Sequence, residues 1–135
     1  MTDNASPYRM RPPVLTVTVE DSMDIMIVRD TTRRAAGLLG FSPAHRAQLA
    51  SAAATLAELV LKTGEAHTLH LNGIIDGARN GLQISAETPW LAGVSANNVL
   101  VALQSKMGDL VDDIMLNAGE PPTIIMVMWL NASRS

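Results

Sequence analysis

The chain contains no cysteine. Disulfides, thiol nucleophiles, iron–sulfur clusters and cysteine-ligated zinc are excluded by that fact alone. A basic excess is also missing: the net charge is −3 and the pI is near 5.5. Nucleic-acid binders normally carry a basic stripe or patch, so that class of partner is not expected. No stretch approaches the roughly 20 apolar residues that a membrane-spanning helix needs. The opening residues, MTDNASPYRMRPP, have no apolar core of the kind that marks a secretion signal, so a cytoplasmic location is the expectation. Phosphate-cradling motifs are absent too, with no Gly-x-x-x-x-Gly-Lys-Ser/Thr and no Gly-x-Gly-x-x-Gly. Gly-x-Ser-x-Gly, the hydrolase elbow, does not occur either.

What is present suits one globular domain. The 135 residues are 47% apolar and 17% charged, enough to bury a core. Eight methionines stand against one Phe and one Tyr. That composition points to adaptable packing, in the core or at a partner surface.

Residues 1–12 read as a flexible lead-in, 13–131 as a single domain and 132–135 as a tail. Val14 to Glu20 alternates Val and Leu with Thr, which predicts a strand. Ser22 is a candidate helix cap, with Asp24 in the first turn, and Gly40 a stop, giving a helix over about 22–39. Ser42-Pro43 opens a second helix that runs to about Gly64 through Ala50-Ser51-Ala52-Ala53-Ala54. Its small residues permit close approach, so it is expected to be the most buried helix. Strands at 66–75 and 81–87 flank two turn signals, Asp76-Gly77 and Asn80-Gly81. A third helix is expected over about 96–116, weakened at Gly108. The segment Thr123–Leu130 is apolar on both faces, as in a central strand or one covered by a partner. The order β-α-α-β-β-α-β does not alternate one for one. It predicts an α+β two-layer sandwich, with helices on one face of a mixed, mostly antiparallel sheet.

Few side chains form a constellation that carries chemistry. His67 and His70 sit three apart in a strand and point to opposite faces, and His45 is distant, so no metal site is expected. Asp109 and Asp113 share a helical face with Asp112 nearby, which reads as a solvated acidic surface or a carboxylate pair. Arg29, Arg33 and Arg34 form a basic patch, either solvated or a dock for an acidic partner. Met126 and Met128 share one face of the last strand, as core filling or as an adaptable docking surface.

From Val14 to Leu130 the succession of elements resembles the anti-sigma-factor and switch-protein serine kinases of bacterial partner-switching systems, which share the ATPase fold of histidine kinases and gyrase. The resemblance is carried by Asp24-Ile25-Met26-Ile27-Val28-Arg29 and by Leu38-Leu39-Gly40-Phe41. It continues through Ser51 to Leu59, through Gly81 to Glu87, through Gly119-Glu120 and through the closing Trp129-Leu130. The family's own motifs are missing. Where active members carry a Glu and, four residues later, a magnesium-holding Asn, this chain has Thr55 and Leu59. Thr is no carboxylate base, and Leu offers no oxygen to a hard cation. Where they carry Asp-x-Gly-x-Gly, this chain has Thr88-Pro89-Trp90-Leu91-Ala92, and the stretch from Val94 to Gly108 lacks a glycine-rich lid.

The resemblance therefore implies the scaffold without the kinase activity: a regulator with a degenerate nucleotide pocket and no cofactor. Its partner would be a switch protein, a phosphatase, a sigma factor or a second copy of itself. Two alternatives stand beside it. One is an active ATP- and magnesium-dependent serine kinase that uses Glu58, Asn72, Asp76, Asn97 or Asn98 as ligands. The other is a small-ligand sensor with a pocket around Thr55, Thr88 and Trp90.

Overall fold

Alternation along the first strand decides which residues face the core. In the computed structural model, Leu15 is half-buried and Val17 and Val19 are buried, while Val14, Thr16 and Thr18 face solvent. The structure describes residues 7–62, 64–87, 96–117 and 122–130, apart from the side chains of 96, 97 and 99. These residues form β1 (Arg9–Val19), α1 (Asp24–Leu39), α2 (Pro43–Leu61), β2 (His67–Asp76), β3 (Arg79–Glu87), α3 (Ala96–Met107), β4 (Asp113–Asn117) and β5 (Thr123–Leu130). The expected lead-in over 1–12 is already strand at its end: Arg9, Met10 and Arg11 pair with Ile75, Ile74 and Gly73. The register slips between Arg11 and Val14. Pro12 and Pro13 occupy that slip, where the absent N–H groups cost no ladder bond on an edge strand.

Local chemistry explains the helix ends. Ser22 does not cap α1. The Asp24 carboxylate accepts the backbone N–H groups of Glu20 and Asp21 at 2.8 and 3.2 Å, and Asp21 accepts that of Met23 at 2.9 Å. Ionised acceptors take over the role assigned to the hydroxyl. Gly40 closes α1 at φ 99°, a conformation that a side chain disfavours. Ser42 does cap α2, accepting from the His45 N–H, with Pro43 in the first turn.

Two expectations fail further along. Asn80-Gly81 is not a turn; the two-residue loop is Gly77-Ala78, with Gly77 at φ 62° and Asp76 paired to Arg79. Gly81 lies within β3 because β5 crosses it closely. A Cβ there would stand 2.6 Å from the Met128 carbonyl oxygen and 2.9 Å from the Trp129 ring. The third helix does not reach 116. It ends at Met107, and after Gly108 the chain turns into β4. The Asp112 N–H donates to the Val127 carbonyl, so pairing with β5 overrides the helical spacing.

The sheet order is β1-β2-β3-β5-β4, and all four pairings are antiparallel rather than mixed. One face carries Leu69, Leu71, Leu82, Ile84, Ile124 and Met126 into a single cluster with Val28, Ala35 and Ala36 of α1. Leu49, Ala52, Ala53, Leu56, Ala57 and Val60 of α2 and Leu103 and Met107 of α3 complete it. α2 is the most buried helix, with eight buried residues. The opposite face holds a second, smaller cluster of Ile74, Ile125, Val127 and Trp129. β5 is thus central and apolar on both faces. Among the described residues no helix is long and apolar enough to cross a membrane.

Gly81→Ala forces overpacking between β3 and β5. It is expected to lower unfolding stability by about 1–3 kcal/mol, read as a reduced urea midpoint with an unchanged m-value.

Candidate functional site

The positions that the family resemblance singles out lie on α2. Thr55 and Leu59 are four residues apart, so they stack on one side of the helix. Thr55 is half-buried, and its hydroxyl donates to the Ser51 carbonyl at 2.9 Å. That bond engages its proton within the helix backbone. Leu59 is half-buried and packs against the main apolar cluster. Glu58 is exposed on a different side of the helix. Thr88 and Trp90 lie outside the described residues, as does the start of the stretch expected to replace the phosphate lid. From Ala96 that stretch is helical.

Polar groups that could serve a nucleotide in their place are dispersed. Asn72 is buried on the sheet face away from the helices, where it pairs with Gln83. Asp76 is at the hairpin tip and holds Arg79 at 2.6 Å. Asn98 is exposed on α3, and the side chain of Asn97 lies outside the description. Three of the four described donors therefore sit on three different surfaces. Among the described residues no group of three or more His, Asp or Glu side chains converges to hold a metal.

His67 and His70 do point to opposite faces. His67 lies in phase with Leu69 and Leu71, and its Nε2 is buried without a hydrogen-bond partner. His70 is exposed on the other face. His45 bonds the Ser42 hydroxyl through Nδ1 at 2.7 Å.

The acidic trio is not a helical face. Asp109 follows α3 in a turn, and Asp112 and Asp113 lead into β4. The Asp112 carboxylate accepts the Trp129 backbone N–H at 2.7 Å, and that of Asp113 accepts the indole N–H at 3.3 Å. Arg79 lies 4.0 Å over the Trp129 ring, and Tyr8 meets the ring edge-on at 5.0 Å. These groups lock Trp129 onto the outer sheet face, a cation–π and carboxylate cage that sequence spacing did not reveal.

Met126 and Met128 are buried to 0% and 1% exposure within the main cluster. They fill the core and are corrected from docking candidates to packing residues, because their face of β5 is the one the helices cover. Arg33 and Arg34 are exposed and Arg29 is partly so, with Arg33 3.7 Å from Asp30. An exposed pair of this kind contributes little stability. Leu38 is exposed, as are Met23, Met26 and Ile27. Apolar residues nearly all round the start of a helix were the available signal.

Compared with known proteins, the chain matches no family model and no curated sequence.

Leu59→Asn exchanges core contacts for an amide in a half-apolar site. Unfolding stability is expected to fall by about 1–3 kcal/mol, and calorimetric titration of the variant with magnesium-ATP is expected to show no gain in binding.

Proposed function

We propose that this chain is a non-catalytic regulator of a bacterial partner-switching circuit, acting by protein–protein contact on a histidine-kinase-like ATPase scaffold whose nucleotide pocket has degenerated. The scaffold reading draws support from the order of elements, two helices before the central hairpin and one after it, and from the layering of the helices on one sheet face. The observation that carries the functional reading is the state of α2. The side where a kinase of that family needs a base and a metal-binding amide holds a hydroxyl bonded back to the helix and a half-buried leucine packed against the core. Phosphoryl transfer depends on positioning and on charge stabilisation by a metal and polar groups. Neither Thr55 nor Leu59 supplies a carboxylate or an oxygen ligand for magnesium.

Protein contact is the activity left to such a scaffold. Exposed Arg33 and Arg34 offer a charged surface, and the exposed apolar residues of α1 offer an adhesive one. Partner chemistry then resides in the outer surface of the helix layer rather than in a crevice.

Isothermal titration with ATP and magnesium tests the reading. The expected result is no binding tighter than about 100 μM. A clear exothermic isotherm below that value, or phosphate transfer to a switch-protein serine, would replace it with the active-kinase alternative.

A further inference from the structure

We propose that the solvent-facing side of α1 seats a second copy of this chain, packed antiparallel about a two-fold axis at the level of Thr32. The proposal deepens the protein–protein reading by naming the occupant of one face.

Met23, Met26, Ile27 and Leu38 are 76%, 68%, 52% and 70% exposed. At about 100° per residue they fall on one side of the helix together with Asp30, Arg33 and Arg34. The buried residues Val28, Thr32, Ala35 and Ala36 lie on the other. One exposed apolar residue is ordinary, whereas four along a single helix face mark a contact surface.

The charges identify what covers it. Glu20, Asp21, Asp24 and Asp30 lead into or occupy the first half of α1 against one base there, the half-buried Arg29, while Arg33, 3.7 Å from Asp30, and Arg34 occupy the second. Arg46 strengthens the basic end, its guanidinium 3.6 Å from where a Gly37 Cβ would stand. A parallel copy would set like charge against like. An antiparallel copy sets acid against base at both ends and opposes the helix dipoles favourably. A two-fold interface requires the patch to be complementary to itself, and this one is.

One register satisfies the charge pattern. With the axis at the level of Thr32, Asp30 faces Arg34 of the second copy, and Arg34 faces its Asp30. Thr32 itself points into the core, its hydroxyl donating to the Val28 carbonyl at 2.7 Å. The axis therefore passes on the solvent side of the helix.

A contact limited to one helix face is at the low end of specific interfaces, so a dissociation constant of about 10–100 μM is expected. Sedimentation equilibrium of the full chain from about 1 to 300 μM reads it. Asp30→Arg and Arg34→Asp are each expected to weaken the dimer by about tenfold or more, and the double variant to return it to within about threefold of the original. These positions are exposed, and circular dichroism checks that each variant keeps the fold. A monomer across the whole range, or a double variant no tighter than the singles, would overturn the proposal. The nucleotide titration is independent of both, so a monomer that ignores ATP rejects the dimer alone.

Discussion

Ala35 and Ala36 of α1 and Ala52, Ala53 and Ala57 of α2 are all completely buried in one cluster, and the two helices pack directly against each other. Small side chains let helix backbones approach closely, and the larger residues that seal the layer then come from the sheet: Leu69, Leu71, Ile84, Met126. Each of these removes enough apolar surface from water to contribute about 1.5–3 kcal/mol. The arrangement has a consequence for function. With α2 pressed into the layer along most of its length, its flank at Leu59 becomes packing surface. A hydrated metal and a triphosphate need oxygen donors and open backbone, and this flank provides apolar contact.

The same economy governs the sheet. β5 lies between β3 and β4 and is apolar on both faces because both are covered, one by the helix layer and the other by the Trp129 cluster. Gly81 makes the second cover possible by letting the Trp129 ring lie against the β3 backbone. Asp113, Arg79 and Tyr8 then hold the ring, and Asp112 holds the backbone N–H of the same residue. Carboxylates that resemble a catalytic pair in a linear reading are structural here, because their partners are a backbone amide and an indole.

Much of this was legible before any coordinates. The Val/Leu–Thr alternation of β1, the Ser42-Pro43 start, the Gly40 stop and the central apolar strand all rest on local chemistry that tertiary contacts do not override. The failures have a common cause. Asp109 to Leu116 has helical spacing, yet β5 presents an open edge and pairing wins. Asn80-Gly81 reads as a turn, yet the glycine is needed for close strand approach. Met126 and Met128 are legible as core or as surface, and only the placement of the helix layer decides between them. At Thr55 and Leu59, which the resemblance singles out, the residue types were readable, whereas the side chains they meet were not. The exposed stripe on α1 escaped because Leu38 fits an apolar spacing that the helix does not bury.

The proposed function belongs to the outside of the helix layer, where the exposed residues of α1 lie. The most direct test is a crystal grown with a non-hydrolysable ATP analogue and magnesium at millimolar concentration. The account predicts Leu59 still seated against the core and no ordered adenosine beside α2. Density for an adenosine moiety with its metal, the triphosphate contacting α2, would contradict it.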